Sequence, residues 1–169
     1  MPFRVKKEEL VARAAVIAHL ITLLEVAGIM HAIIGMGGIG KSLVSAAVAK
    51  ELQLLGIVQC CFFMQADSFN SLREELVRIG RGYVQSCAFD ATDDDAVEAA
   101  TKFFCTTAIQ WVVVLDDVRD WSAVEPLVPT GPNGRILVTS NVDLSSYGLP
   151  TTELALFTTD ESLSVSSRM

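Results

Sequence analysis

Apolar positions recur along the chain in two patterns, one typical of amphipathic helices and one of buried strands. Lys7 to Glu25 carries apolar side chains at helical spacing, which predicts a first helix. Ile29 to Ile34 is a short apolar run bounded by glycines, as expected for a central parallel strand. The same patterns predict helices at Ser42–Leu55, Asn70–Val84 and Asp94–Thr107, strands at Val58–Met64, Trp111–Leu115, Arg135–Thr139 and Glu153–Phe157, and a further helix starting at Asp160. Strands therefore alternate with helices, which predicts an α/β fold with a parallel sheet covered by helices on both faces.

Composition and charge indicate one globular domain without a nucleic-acid or membrane partner. The 169 residues are 51% hydrophobic and 20% charged, which excludes intrinsic disorder. The net charge of −7 argues against nucleic acid, because binding phosphates requires a basic face. The apolar run from Ala14 to Gly40 is interrupted by Glu25 and by several glycines, so a helix followed by a strand explains it better than a membrane span or signal sequence. We therefore expect a cytoplasmic protein.

The cysteines, the histidines and the acidic run at 93–95 do not form a metal-binding pattern. The four cysteines are Cys60, Cys61, Cys87 and Cys105. They lack C-x₂-C spacing, so we expect free, buried thiols in a reducing compartment. His19 and His31 have no acidic or thiol neighbour and are expected to be ordinary packing residues. The acidic run at 93–95 starts a predicted helix and is interpreted as a solvated cap favoured by the helix dipole.

The segment from Gly35 to Ser42 carries a phosphate-binding motif. It satisfies G-x-x-x-x-G-K-[ST] and lies between a predicted strand and a predicted helix. Its glycines let successive backbone N–H groups curl around an anion, and the following helix directs its positive end at that anion. In this motif Lys41 reaches the β and γ phosphates, and the Ser42 hydroxyl is a Mg²⁺ ligand. The predicted nucleotide-binding residues are Gly35, Met36, Gly37, Gly38, Ile39, Gly40, Lys41, Ser42, Leu43 and, near the end of a later strand, Thr139.

The same glycines also satisfy the G-x-G-x-x-G pattern of dinucleotide-binding domains, through Gly35, Gly37 and Gly40. That fold places an acidic residue about 20 positions further on, at the end of its second strand. Asp67 lies near that point but later than preferred. A dinucleotide site also gives no reason for Lys41 and Ser42 to follow the last glycine at once, so this interpretation is the weaker alternative.

A second motif is the buried strand that ends in two carboxylates, Asp116 and Asp117. Four apolar residues precede them, which places Asp116 at the carboxyl edge of the sheet beside the glycine-rich loop. There Asp116 is expected to hold Mg²⁺ through water, opposite Ser42. Asp117 is the predicted catalytic residue, because its carboxylate could orient the attacking water.

Together these motifs resemble the NB-ARC nucleotide-binding domain of STAND ATPases, the switch modules of plant disease-resistance proteins, apoptosome scaffolds and tetratricopeptide-linked signalling proteins. Residues 33–42 are similar to its Walker A segment, 112–121 to its Walker B strand and the residues after it, 134–140 to its sensor strand and 61–66 to its second strand. The resemblance implies a P-loop NTPase three-layer αβα sandwich with a mostly parallel sheet of about five strands. It also implies binding of ADP or ATP with Mg²⁺, slow or no hydrolysis, and protein partners or self-association through a longer parent protein.

Three departures from the family pattern bear on function. Val5 and Lys6 stand where the family has a Gly-Arg pair on the adenine side, between Phe3 and Glu9. Asn141 follows Ser140, where a sensor arginine is usual: either the arginine is substituted, or one residue has been lost and Asn141 is the next position. In both cases the γ-phosphate would lose a charged reporter. The helical ARC subdomains, which close over the nucleotide, are not represented in the sequence, so one wall of the pocket would be missing.

These observations give a domain plan and leave several functions open. We expect an N-terminal helical lead-in at 1–27, a P-loop nucleotide-binding domain at 28–157 and a truncated C-terminal tail at 158–169. The favoured function is adenine-nucleotide binding by a signalling switch. The alternatives are an autonomous P-loop ATPase, a dinucleotide-binding enzyme and a degenerate module that keeps the fold only for protein interaction.

Overall fold

The computed structural model describes residues 13–84 and 90–154. Its helices are α1 (Ala14–Leu24), α2 (Lys41–Leu54), α3 (Phe69–Gly82), α4 (Asp93–Thr106) and the short α5 (Trp121–Val124), with 3₁₀ turns at Glu125–Leu127 and Ser145–Tyr147. Its strands are β1 (Met30–Ile34), β2 (Cys60–Gln65), β3 (Trp111–Val118), β4 (Gly134–Ser140) and β5 (Thr151–Glu153). Several predicted features lie outside the described residues: the start of the first helix, the Phe3-to-Glu9 segment, Cys87, the end of the last strand and the helix at Asp160.

The five strands form one parallel sheet in the order β2-β3-β4-β1-β5. The predicted α/β fold is therefore confirmed. Strand β1 lies between β4 and β5, and two strands separate it from β2. In a dinucleotide-binding domain the second strand lies directly beside the first. The dinucleotide alternative is therefore wrong: the glycine spacing is the same in both folds, but the strand order of this sheet is not that of a dinucleotide-binding domain.

Helices cover both faces of the sheet, as the alternation predicted. Strand β3 supplies both faces in turn because successive side chains on a strand point in opposite directions. On one face Val112 and Val114 are buried against α1 and α2, through Leu20, Leu24, Val44, Val48 and Leu52. On the other face Val113 and Leu115 are buried against α3 and α4, through Leu72, Leu76, Ala100 and Phe104. The result is a three-layer sandwich in which β3 contributes side chains to both apolar layers.

The end of β3 differs from the prediction in a way that shapes the site. The predicted strand stops at Leu115, whereas β3 continues to Val118. The pairing with β4 is regular up to Leu115, shifts, and resumes where Val118 pairs with Ser140. This irregularity leaves Asp116 and Asp117 outside the regular β3–β4 ladder, at the carboxyl edge of the sheet.

The long apolar run is divided between α1 and β1. Helix α1 has 11 residues, and the turn at Gly28, with φ of 81°, separates it from β1. Within residues 13–84 and 90–154, no helix combines the length and the apolar character needed to cross a membrane.

Arg135 fixes α1 to the sheet. Its guanidinium is 4% exposed and donates to the carbonyls of Leu24 at 2.5 Å and Glu25 at 2.9 Å, and to the Gln110 amide oxygen at 2.8 Å. The last carbonyls of a helix have no partner inside the helix, and Arg135 supplies donors to two of them. Arg135 is a structural residue of the fold rather than part of the site.

The acidic run at the start of α4 connects that helix to α3. Thr92 and Asp95 form a reciprocal capping box, as expected for a helix N-terminus. In addition, Arg73 contacts Asp94 at 2.7 Å and Arg81 contacts Asp93 at 2.8 Å. No group of three or more His, Cys, Asp or Glu side chains in the described ranges is arranged to hold a metal ion.

The described cysteines are free, but one of them corrects the prediction. Cys60 and Cys61 are half-buried, and burial raises the pKa of the Cys61 thiol to about 11. Cys105 is exposed, contrary to the expectation of buried thiols, because it lies on the solvent-facing side of α4. The usual burial of cysteine was therefore not enough to predict which face of α4 is buried.

Replacing Phe104 with alanine is expected to destabilise the fold by about 3–5 kcal/mol. Phe104 is a fully buried residue of α4 whose ring packs against Phe62 and Trp111, so its removal would leave a cavity. Urea denaturation followed by circular dichroism measures this change. The matched control is Phe63→Ala on β2, where the residue is 47% exposed and the expected loss is far smaller. Equal losses for the two variants would contradict the described core.

Candidate functional site

The glycine-rich loop between β1 and α2 has a backbone that requires glycine. Gly35, Gly38 and Gly40 have φ angles of 149°, 76° and 94°, in the region that side chains disfavour. A Cβ atom on Gly35 would also lie 2.7 Å from the carbonyl oxygen of Leu154, which follows β5. The loop is thus packed closely against the end of β5, in a backbone conformation that its glycines can adopt.

Lys41, the first residue of α2, points its side chain back into the loop. Its ammonium donates to the carbonyls of Gly35 at 2.9 Å and Met36 at 2.8 Å and to the amide oxygen of Asn141 at 2.6 Å. Lys41 is only 7% exposed, and this burial lowers its pKa, while the charges of Asp117 and Asp116 act in the opposite direction. The loop therefore contains one nearly buried cation with three oxygen partners.

Asp116 is the centre of a hydroxyl–carboxylate cluster at the carboxyl edge of the sheet. Its Oδ1 accepts hydrogen bonds from the Ser42 hydroxyl at 2.7 Å and the Thr139 hydroxyl at 2.6 Å. The three residues come from α2, β3 and β4, so the cluster joins the two motifs that lie about 75 positions apart in the sequence. The Thr139 hydroxyl therefore contacts Asp116, and its role as a nucleotide-binding residue stays a prediction.

Asp117 has an unusual backbone conformation. Its φ is 61°, and among the described non-glycine residues it alone has a positive φ. Its N–H donates to the Thr139 hydroxyl at 2.9 Å instead of to a strand carbonyl. Its carboxylate accepts two hydrogen bonds from the Arg119 guanidinium, at 2.8 and 3.1 Å. Positive φ in a residue with a Cβ costs energy, and such residues cluster at functional sites.

These groups line one cavity of about 420 Å³. Its walls are Gly37, Gly38, Gly40, Lys41, Ser42, Leu43, Gln65, Asp116, Asp117, Thr139 and Asn141. The other predicted residues do not line the cavity: the carbonyls of Gly35 and Met36 hold Lys41, and Ile39 packs against the core between α1 and α2. The cavity therefore brings together the predicted phosphate and metal groups.

Three residues near the cavity were not among the predicted site residues. Gln65 ends β2 and pairs in register with Asp116, so its position at the carboxyl end of a strand was the available signal. Asn141 follows β4 and was considered only as a lost arginine, whereas its side chain contacts Lys41. Arg13 donates to the carbonyl of Ile39 at 3.3 Å, and no local motif indicated this contact.

Comparisons with known proteins give similarity only at the level of structure. No family model matches the sequence, and no curated protein is similar to it. Similar solved structures include Cdc6p from Pyrobaculum aerophilum (TM-score 0.60, 14% identity, 98% of this chain and 50% of that one), the Drosophila ORC bound to DNA (0.59, 12%, 95% and 50%) and the Aeropyrum pernix ORC2 protein in ADPNP–ADP complexes (0.56, 16%, 98% and 52%). This chain spans about half the length of each of them.

The fold and the site define the class of protein. At identities of 12–16% the similarity concerns the fold alone, and that fold agrees with the glycine-rich loop and the parallel sheet. The chain has a P-loop NTPase fold. The similar structures do not distinguish the NB-ARC group within that class.

Proposed function

We propose that this chain binds ADP or ATP with Mg²⁺, as an NB-ARC-like signalling switch domain with slow or no hydrolysis. The observation that carries the proposal is the cavity that combines the glycine-rich loop, Lys41 and the Ser42–Asp116 pair. We assign the nucleotide-binding unit to residues 28–157. Protein partners, or self-association through a longer parent protein, belong to the same proposal. The net charge of −7 keeps nucleic acid outside it.

The loop suits a phosphate group for two physical reasons. The first N–H groups of α2 have no acceptor inside the helix, and the helix dipole makes that end positive. The ammonium of Lys41 lies in the same loop with little solvent around it, which strengthens its attraction to an anion. Lys41 would neutralise the β and γ phosphates, and the loop backbone would surround the β phosphate.

The residues present also fit a magnesium ion bound together with a nucleotide. Mg²⁺ in such sites is held by one or two protein oxygens, by phosphates and by water, rather than by a cage of carboxylates. Ser42 and Asp116 supply a hydroxyl and a carboxylate oxygen 2.7 Å apart at the cavity wall. When bound, the ion would supply charge neutralisation for the β and γ phosphates.

Slow hydrolysis follows from the groups around the predicted catalytic residue. Hydrolysis forms a bond from water oxygen to the γ phosphorus, breaks the bond from that phosphorus to the β–γ bridging oxygen, and releases a proton. Asp117 would orient the water, but its Oδ2 is already bound to Arg119. Asn141, beside Lys41, offers the γ-phosphate an uncharged amide in place of an arginine.

An autonomous P-loop ATPase is the second candidate. It is favoured by the position of Asp117, whose side chain is 30% exposed and lines the same cavity as Lys41. The two candidates share the binding site and differ in turnover. Steady phosphate release that disappears in Lys41→Ala would favour the ATPase over the switch.

Calorimetric titration of nucleotide-stripped protein with ADP and with ATP, each with and without Mg²⁺, tests the proposal. We expect affinities in the micromolar range, corresponding to about −8 kcal/mol, and tighter binding of ATP when Mg²⁺ is present. Circular dichroism of the same sample verifies that the protein is folded. Absence of binding heat from both nucleotides would contradict the proposed function and favour the interaction module.

A further inference from the structure

Asp117 is presented at the cavity by an irregularity in the sheet. The β3–β4 pairing shifts after Leu115, and the N–H of Asp117 turns to the Thr139 hydroxyl. The φ of 61° at Asp117 is part of the same irregularity. The backbone of Asp117 is therefore fixed by the sheet, and the direction of its carboxylate is set by the side chains around it.

The neighbour that fixes the side chain is Arg119, two residues further along. Nε and Nη2 of Arg119 both donate to Oδ2 of Asp117, at 3.1 and 2.8 Å. The Arg119 side chain is 65% exposed, so this ion pair is not required by the packing of the core. An oxygen that accepts two guanidinium N–H groups is less available to accept a hydrogen bond from water.

A second carboxylate, Asp67, lies next to this pair at the end of β2. Gln65 pairs with Asp116, and the N–H of Ala66 donates to the Asp116 carbonyl at 2.9 Å, so Asp67 follows where β2 runs beside the end of β3. Oδ1 of Asp67 is buried and has no hydrogen-bond partner in the part of the chain that the structure describes. The pKa of Arg119 is raised mainly by its hydrogen bond to Asp117 and, as a smaller contribution, by the charge of Asp67.

A buried carboxylate oxygen without a donor is costly, and a guanidinium is the donor that suits it best. Arg119 therefore occupies one acceptor, Asp117, while Asp67, whose charge acts on the same guanidinium, keeps an unsatisfied oxygen. Moving the guanidinium to Asp67 would satisfy that oxygen and release the Asp117 carboxylate toward the cavity. The Arg119 side chain is largely in solvent, so it can leave Asp117 without disturbing the core packing.

We propose that Arg119 is a positioning residue that restrains ATP hydrolysis by holding the Asp117 carboxylate, and that Asp67 is the alternative partner that allows its release. The inference rests on the proposed function. In the released arrangement the Asp117 carboxylate accepts a hydrogen bond from the attacking water. The water oxygen bonds to the γ phosphorus, ADP leaves with the bridging oxygen, and the water proton passes to the carboxylate or to the phosphate product.

Single-turnover and steady-state phosphate release by the whole chain tests the inference with three variants. Arg119→Gln removes the guanidinium charge and is expected to raise kcat about tenfold, with KM and the calorimetric affinity unchanged. This increase is smaller than the full contribution of a group that orients the attacking water. Arg119→Lys keeps a cation beside Asp117 and is expected to remain slow. Asp67→Asn weakens the alternative partner and is expected to lower kcat about threefold.

The double variant Asp67→Asn with Arg119→Gln provides the sharpest comparison. If Asp67 acts through Arg119, the double variant has the rate of Arg119→Gln alone. A kcat for Arg119→Gln equal to or below that of the unchanged protein would overturn the inference, as would an effect confined to KM. Undetectable hydrolysis in every variant would overturn it as well. Nucleotide binding, measured separately by calorimetry, decides the proposed function independently of these rates.

Discussion

Replacement of Lys41 by alanine is expected to weaken binding of both ADP and ATP by about 100-fold or more. The ammonium is the nearly buried cation of the loop, and each charge-assisted hydrogen bond to phosphate contributes about 1.5–3 kcal/mol. The substitution also leaves the carbonyls of Gly35 and Met36 and the Asn141 amide without their donor. Calorimetry with Mg²⁺ present measures the loss, and circular dichroism shows whether the variant is folded.

The matched control for this prediction is Lys50→Ala. Lys50 lies on the same helix, α2, but is exposed and distant from the loop in sequence. It removes the same charge from the protein, so it reports the effect of net charge alone. Equal affinities for Lys41→Ala and the unchanged protein would place the nucleotide outside this loop.

Replacement of Asp116 by alanine is expected to remove the part of ATP affinity that depends on Mg²⁺. Asp116 is the shared acceptor of the Ser42 and Thr139 hydroxyls, so its loss leaves the cluster without its carboxylate. We expect the affinity measured with Mg²⁺ to fall about tenfold or more, to the value measured without Mg²⁺, because loss of a metal-binding carboxylate removes a charged ligand. Paired calorimetric titrations with Mg²⁺ and with EDTA measure the difference.

The neighbouring carboxylate is the control for Asp116. Asp117→Asn keeps the Ser42–Asp116 hydrogen bond and the size of the side chain, so the Mg²⁺ dependence of binding is expected to persist while phosphate release falls. The two adjacent aspartates therefore separate metal binding from hydrolysis. Loss of Mg²⁺ dependence in Asp117→Asn alone would reverse the assigned roles.

Much of the fold was predictable because its determinants are local. The alternation of helical spacing with short apolar runs predicted the order of elements, since each element must bury one face or both. The glycine-rich loop was predictable for the same reason: positive φ at Gly38 and Gly40 is a property of single residues. The location of Asp116 at the sheet edge followed from the length of the apolar run before it.

The order of the strands was not predictable from these local patterns. The glycine spacing at the loop was compatible with two folds, and the insertion of β4 and β3 between β1 and β2 excludes the dinucleotide fold. The exposure of Cys105 was not predicted, because the mixed composition of α4 does not indicate which face of the helix is buried. Both features depend on long-range packing.

The detailed arrangement around Asp117 also depends on contacts between distant residues. Its positive φ arises where the β3–β4 pairing shifts, and its N–H is taken by Thr139, which lies 22 residues away in sequence. The sequence indicated a carboxylate at this position but not the direction of its side chain. The unsatisfied oxygen of Asp67 emerges only when β2 and β3 lie side by side.

The central claim is that an adenine nucleotide occupies the cavity between the glycine-rich loop and the ends of β3 and β4. Titration of ¹⁵N-labelled protein with ADP and Mg²⁺, followed by amide NMR spectra, tests this claim most directly. We predict chemical-shift changes concentrated at residues 35–43, 116–117 and 139–141, with the amides of α4 nearly unchanged. Saturating ADP that leaves these loop and strand-end amides unshifted, or that shifts a different surface, would contradict the account.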